Sequence, residues 1–294
     1  MKKLWTLNED KILKDVYPSG DKTKLMELLP DRSWIAIKAR ATKIKGLTFK
    51  RRGLPVDESF FSSWSPSMAY VLGYIFADGC ITRIKRKHTY AWYWQIGSID
   101  KQIIEDISKL VKWGGKILKL NRTKEQGYYA DYIFYRLTIG SNKMVSDLKE
   151  LGVTRKKSLT LQPPNKIPKN MIHHFLRGYW DGDGSVHKLS GDTSYLSASV
   201  GSGSYDMIDW IANIIGETLN IPPRNIVSSN RSEFYSINLV GHNAHVFLKW
   251  LYKDATIFLK RKHNVFQVYD KHGRHPDNEP KKIVTIRSNW SSHS

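Results

Sequence analysis

Two aspartates stand in the same setting, a hundred residues apart: Gly73-Tyr74-Ile75-Phe76-Ala77-Asp78-Gly79 and Gly178-Tyr179-Trp180-Asp181-Gly182-Asp183-Gly184. Each stretch has helical spacing, with small residues four apart, Gly73 with Ala77 and Gly178 with Gly182. Such pairs share one helix face and let two backbones approach closely. If the two helices pack side by side, Asp78 and Asp183 emerge together at their C-terminal ends. The helix dipoles are negative there, so adjacent carboxylates repel each other and the dipoles. That arrangement is unfavourable unless divalent cations neutralise it, and carboxylates, backbone carbonyls and water are the hard oxygen ligands that suit Mg²⁺. A single Asp-Gly would read as a turn; two in register point to a metal-binding centre.

The elements that must position these acids also repeat. Tyr70–Gly79 matches Phe175–Gly184 at an offset of 105, and Ile96-Gly97-Ser98 matches Val200-Gly201-Ser202 at 104. Leu137-Thr138-Ile139 matches Ile237-Asn238-Leu239 at 100, and Lys157 matches Lys262 at 105. Within a copy, Trp92, Trp94 and Ile96 alternate with Tyr93 and Gln95, a strand with one apolar and one polar face. Leu196, Ala198 and Val200 repeat that phase against Ser197 and Ser199, and Ile133, Tyr135, Leu137 and Ile139 alternate with Tyr132, Phe134, Arg136 and Thr138. Helices are expected over Lys101–Trp113 and Asn142–Leu151. The reading is α+β, with two halves at 67–162 and 171–270 joined by a proline-bearing linker at 163–170.

The 294 residues include 47 Lys+Arg against 27 Asp+Glu, a net charge of +20, with 40% hydrophobic and 12% aromatic residues. This composition excludes a wholly disordered chain. A single cysteine, Cys80, excludes a disulfide framework and an all-cysteine zinc site. There is no apolar run of the ~20 residues that span a bilayer, and no signal-peptide pattern at the N-terminus. Glu9 and Asp10 argue against a transit peptide, so a cytoplasmic protein of bacterial, phage or archaeal type is expected. The positive surplus is +8 over residues 1–53, +9 over 54–270 and +3 over 271–294. Charge so distributed favours an extended polyanion footprint, double-stranded DNA above all, over a tag-like tail.

Residues 1–53 read as three short helices. Thr6 and Glu9 have capping-box spacing, and Trp5, Ile12, Leu13 and Val16 form a stripe ended by Pro18 and Gly20. A third helix opens at Ser33 and closes before Gly46, with Trp34, Ile37, Ala41 and Ile44 on one face and Lys38, Arg40, Lys43 and Lys45 off it. A basic third helix suits the major groove, as in a helix-turn-helix; a three-helix bundle with a solvated basic face fits the pattern too. The Trp5-Thr6, Glu9-Asp10, Leu13, Asp31-Arg32-Ser33 and Ala36–Ala39 spacing resembles Myb/SANT-like DNA-binding modules. Residues 54–66 read as a linker, with Arg51 and Arg52 before it placed to follow the phosphate backbone. The stretch 271–294 reads as a polar, flexible tail.

The two Asp-Gly motifs resemble those of the LAGLIDADG homing endonucleases in their single-chain, two-motif form. Gly178–Ser185 is the closer match, and residues 71–79 are looser, with Phe76 where the motif has an acid. Lys260-Arg261-Lys262 after Ile257-Phe258-Leu259, and Arg155-Lys156-Lys157-Ser158 before Pro163-Pro164, resemble the family's other signatures. The resemblance implies two αββαββα halves around a pseudo-twofold axis, with saddle-shaped antiparallel sheets in the DNA major groove. It implies a functional monomer that cuts both strands at a long, rare site by metal-dependent phosphodiester hydrolysis. Asp78 and Asp183 would bind two or more Mg²⁺ ions, Mn²⁺ being expected to substitute, with the Ala77 and Gly182 carbonyls as further ligands. Lys157 and Lys262 fall where the family often has a basic residue that steadies the transition state or the water network; an ordinary phosphate contact is the alternative.

The same resemblance assigns base readout to Tyr93, Gln95, Arg136, Thr138, Ser197, Ser199, Arg231 and Asn238. Arg83, Lys85, Arg86 and Lys87, between the strands of the first hairpin, would grip phosphates, and Lys188 would also contact DNA. The family often has Gln at the sheet position nearest the site, where Ser98 and Ser202 are expected here. Asp181, Cys80 and His187 are expected to serve packing, solvation or DNA proximity. A LAGLIDADG-type RNA maturase that assists intron splicing and a cleavage-silent transcription regulator are the rival readings. An intein is not expected, because Met1 and His293-Ser294 stand where its splicing residues would be.

Overall fold

The computed structural model describes residues 4–47, 54–86, 89–155, 157–188, 195–222, 226–228 and 234–271. Four expected DNA contacts, Arg51, Arg52, Lys87 and Arg231, lie outside the described residues, as does the stretch from 272 onward. The chain divides into two compact units, residues 1–55 and 56–294.

The first unit holds α1 (Leu7–Val16), α2 (Lys22–Leu28) and α3 (Trp34–Ala41). Each helix opens on a side-chain cap: Thr6 with Glu9 in a reciprocal box, Asp21 accepting from Lys24 N, and Ser33 accepting from Ala36 N. These caps satisfy amides that have no partner within a helix. The core is Leu13, Val16, Tyr17, Leu25, Leu29, Ile37 and Ala41, with Trp5 and Trp34 packed against it.

The second unit repeats one succession of elements. Its first half runs α4 (Pro66–Asp78), β1 (Cys80–Lys85), β2 (Tyr90–Ser98), α5 (Lys101–Leu110), β3 (Leu118–Arg122), β4 (Tyr132–Gly140) and α6 (Asn142–Glu150). Its second half runs α7 (Ile172–Asp183), β5 (Gly184–Lys188), β6 (Leu196–Ser202), α8 (Tyr205–Leu219), β7 (Val227–Ser228), β8 (Tyr235–Val240) and α9 (His242–Leu251), followed by α10 (Lys260–Lys271). Each half forms a four-stranded antiparallel sheet, in the orders β1-β2-β4-β3 and β5-β6-β8-β7. Gln95 pairs with Thr138 and Ser199 with Asn238, so the two central strand pairs have the same register.

Alternation along the strands sends Trp94, Ile96, Leu137 and Ile139 into the core, with Ala198, Val200, Ile237 and Leu239 doing the same in the second sheet. Helices α5, α6, α8 and α9 pack on those apolar faces. Residues 56–64 are no free linker. Phe61 is buried against Trp94 with ring centroids 5.7 Å apart, Asp57 N donates to Val111 O, and Ser141 Oγ donates to Glu58.

At the centre, α4 and α7 cross in contact. A Cβ on Gly73 would fall on the Phe175 carbonyl oxygen and 2.8 Å from Tyr179 N; one on Gly178 would fall on Tyr70 O and 2.9 Å from Tyr74 N. Only glycine permits backbones this close. Gly178→Ala is therefore expected to push the helices apart and lower unfolding stability by about 3 kcal/mol, the upper end of overpacking costs, in a denaturant titration. A loss under about 0.5 kcal/mol would show that the crossing yields to a methyl.

Candidate metal centre and nucleic-acid face

The close crossing brings the C-terminal ends of α4 and α7 together, and those ends carry Asp78 and Asp183. A Cβ on Gly182 would overlap that of Ala77 and lie 3.3 Å from Asp78 Oδ2, so each helix end touches the other. Both aspartate side chains open to solvent. Surrounding protein nonetheless raises the Asp183 carboxyl to about 6, with the Asp78 charge the next cause, and raises Asp78 as well. Two negative helix ends and two carboxylates form a site suited to cations. Among the described residues no group of three or more His, Cys, Asp or Glu side chains makes a self-contained cage. A bound divalent ion would draw its remaining ligands from backbone, water or an anionic substrate.

Lys157 and Lys262 occupy matching positions beneath these ends. Lys157 Nζ donates to Phe76 O at 2.5 Å and Ala77 O at 2.8 Å. Lys262 Nζ donates to Trp180 O at 2.7 Å, Asp181 O at 2.8 Å and Gly184 O at 2.5 Å. They are 6% and 3% exposed, so neither is an ordinary phosphate contact. Burial lowers both ammonium groups, Lys262 to about 8, against the pull of the aspartates. They cap the last carbonyls of the two acid-bearing helices and offset the charge gathered there. Of the two carbonyls expected to bind metal, that of Ala77 already accepts from Lys157.

Asp181 is buried, accepts from Tyr70 Oη at 2.7 Å and Leu259 N at 2.8 Å, and has a carboxyl raised to about 6 by burial. It joins α7 to α4 and to the segment before α10, which fits the packing role expected of it. Arg177 is fully buried and holds Ile257 O at 3.0 Å and Leu251 O at 2.8 Å. The sequence signal for Arg177 was a charge in the Phe175–Gly182 stretch, where the first copy has Leu72.

The first sheet turns Tyr93, Gln95, Arg136 and Thr138 to its outer face, as their alternation with the core residues requires. Arg83 and Lys85 differ from expectation. They lie within β1 itself, in the phase of Trp92 and Tyr90, and Arg83 stacks 4.3 Å from the Tyr90 ring. Arg86 follows the strand and donates to Tyr93 Oη at 3.1 Å. Lys188 pairs with Leu196 at the exposed end of β5, again in the core-side phase.

In the second sheet Ser199 and Asn238 share the outer face. Ser197 does too, but it is 1% exposed and donates to Asn238 Oδ1, so it is not an open reader. Ser98 and Ser202 each accept the amide of a residue two further on, closing a turn, and each also bonds a tyrosine of an acid-bearing helix, Tyr74 and Tyr179. Cys80, two residues past Asp78, pairs with Gln95, and Ser185, two past Asp183, pairs with Ser199. The matched glycines share one role: a Cβ on Gly97 would overlap the Phe134 ring, and one on Gly201 the Phe234 ring. Glycine inside two matched strands was the available signal.

In the first unit Arg40 does not stand free for DNA. Its Nε donates to Asp10 Oδ1 at 2.7 Å, tying α3 to α1. Arg32 likewise bonds Glu9 at 2.7 Å and lies 4.4 Å from the Trp5 ring. Lys38 is exposed on α3 beside Ile35, which is 75% exposed. The helix ends at Ala41, so Lys43 and Lys45 lie in the turns that follow.

A repeated αββαββα unit with a carboxylate pair at its helix junction is thus the class that fold and site define. The family described as the LAGLIDADG-like domain matches residues 170–249, which contain the second motif. Among solved structures, the I-LtrWI LAGLIDADG homing endonuclease bound to target DNA is 12% identical, covering 73% of this chain and 91% of that one, with a TM-score of 0.47. The I-SmaMI LAGLIDADG homing endonuclease bound to cleaved DNA is 13% identical, covering 71% and 88%, with a TM-score of 0.47. The LAGLIDADG meganuclease I-AabMI bound to uncleaved DNA is 14% identical, covering 71% and 90%, with a TM-score of 0.44. A probable translation initiation factor IF-2 of Methanocaldococcus jannaschii is 27% identical over 135 residues, 44% of this chain. The match spans 10% of that relative's length. Among the described residues no helix is long and apolar enough to cross a membrane.

The raised carboxyl of Asp183 carries a signed consequence. Its folded value, about 6, lies above the ordinary 3.8, so the ionised form costs stability above pH 6, and the cost fades as pH falls from 6 toward 4. Asp183→Asn is expected to raise Tm at pH 7.5 without divalent ions, with a gain that shrinks at pH 5. Mg²⁺ should raise the Tm of the wild type more than that of the variant. Equal Mg²⁺ responses would exclude Asp183 as a ligand.

Proposed function

We propose that this chain is a site-specific DNA endonuclease that makes a metal-dependent double-strand break at a long recognition site. The observation that carries the reading is the meeting of Asp78 and Asp183 at crossing helix ends, within a chain of net charge +20. Asp78 and Asp183 would hold two or more Mg²⁺ ions, or Mn²⁺ in their place, together with the Ala77 and Gly182 carbonyls. When bound, divalent ions supply a water of lowered pKa and stabilise the attacking and leaving oxygens of phosphodiester hydrolysis. Lys157 and Lys262 act by position: they set the helix ends and limit the repulsion between the acids. The outer sheet faces lie along the major groove, and the surrounding positive charge binds phosphates through counterion release.

The first unit serves as a Myb/SANT-like helix-turn-helix module, adding DNA contact through linkage without entering the chemistry. Lys38 and Ile35 on the open side of α3 are the groups that would face the groove. The two halves within one chain make the enzyme a monomer with a pseudo-dimeric site.

The chain, incubated with Mg²⁺ and a DNA library containing intron-insertion sites, is expected to cut both strands at one rare sequence. Asp78→Asn and Asp183→Asn should each abolish cutting while leaving binding. Sequence-specific binding without cuts under any divalent metal would overturn the nuclease reading in favour of a regulator. Preferential binding and splicing of intron RNA would establish the maturase instead. Removing residues 1–53 should shorten the protected footprint; an unchanged footprint would reject DNA contact by the first unit.

A further inference from the structure

The repeat allows the two outer sheet faces to be compared position by position. At the offset of 104, Tyr93 becomes Ser197 and Gln95 becomes Ser199; at the offset of 100, Arg136 becomes Ser236 and Thr138 becomes Asn238. Strand register confirms that these are equivalent places. Tyr93 opposes Gly140 and Ser197 opposes Val240; Gly97 opposes Arg136 and Gly201 opposes Ser236. Three long polar side chains of the first half are therefore serines in the second.

Hydrogen bonding separates the faces further. In the second sheet, Ser197 Oγ donates to Asn238 Oδ1 at 2.7 Å, and Ser185 and Ser199 hydroxyls lie 2.7 Å apart. These groups satisfy one another. In the first sheet, Gln95 Oε1 accepts only a 3.9 Å contact from Cys80 Sγ and Tyr93 Oη accepts from Arg86, while the buried Arg136 Nε and Thr138 Oγ1 have no protein partner. Beside them, Arg122 is fixed over the Phe134 ring at 3.8 Å and donates to Tyr132 Oη at 3.2 Å, forming a rigid flank at the β3 edge.

Arginine and glutamine present paired donors and acceptors that match guanine and adenine edges, whereas a serine hydroxyl accepts either base. We infer that base-specific readout is concentrated on the first half, through Gln95 and Arg136 with Tyr93 and Thr138 beside them. Among the described residues, the second half offers short hydroxyls and Asn238 on the equivalent face. This inference rests on the DNA-cleaving reading above and concerns which base pairs that enzyme discriminates. It makes the recognition site unequal, with one stringent and one tolerant half.

The test is selection of bound sequences from a randomised duplex library by the whole 294-residue chain carrying Asp183→Asn. It is repeated with Gln95→Ser/Arg136→Ser and with Ser199→Ala/Asn238→Ala added. The expected outcome is one half-site with strong base preferences, which the first pair of changes flattens by about tenfold or more at its contacted positions. The second pair should alter preferences less than about threefold. Circular dichroism melts show whether each variant is folded, and the single changes Gln95→Ser and Arg136→Ser, read separately, replace a pair that is not. Equal stringency in both half-sites, or a larger loss from the second pair, would overturn the inference while leaving DNA recognition intact. No enriched sequence at all would overturn the DNA-binding reading itself.

Discussion

The closeness of α4 to α7 is the constraint on which the centre depends. Glycine at 73 and at 178 lets each backbone rest on the carbonyls of the other, where any side chain would hold the helices apart. That contact places two helix C-termini, both electronegative, side by side, and each presents an aspartate. Packing therefore creates an electrostatic difficulty that packing alone does not relieve. The two buried lysines relieve part of it by donating to the last carbonyls of each helix. The acids themselves stay open to solvent, where a cation can meet them.

Arg177, Asp181 and Tyr70 hold this junction from behind. Tyr70 on α4 donates to Asp181 on α7, and the same carboxylate accepts the amide of Leu259, one residue before α10 begins. α10 in turn delivers Lys262. Asp181 thus ties three segments together at one carboxylate, two residues before the acid that faces solvent. Two aspartates separated by a single glycine have opposite environments because a helix turns by about 100° per residue. One points into the core and the other emerges at the end.

The repeat explains both the likeness and the difference of the halves. Core positions stay apolar because the same helices must cover the same sheet face: Trp94, Ile96, Leu137 and Ile139 have their counterparts in Ala198, Val200, Ile237 and Leu239. Outer positions face no such packing demand. Tyr93, Gln95 and Arg136 have become serines, and the hydroxyls of the second sheet close on neighbouring side chains. The outer face changes in polarity and length, and the core changes in volume but not in polarity.

Period and spacing in the sequence sufficed for the order of elements, the two-half architecture, the pairing of Gly73 with Ala77 and Gly178 with Gly182, and the convergence of Asp78 and Asp183. These are local or repeated signals, and a pattern met twice carries its own control. Three things were decided by tertiary structure alone. Lys157 and Lys262 turned out to be buried caps, because burial depends on segments 80 residues away that no spacing announces. Arg40 was spent on Asp10, and Ser197 on Asn238, because a polar residue of the right phase can be satisfied inside the protein before any ligand arrives. The stretch 56–64, read as a linker from its composition, became part of the core through Phe61 and Trp94. A sequence records which side chains are able to bond; only the fold determines which of them are already bonded to each other.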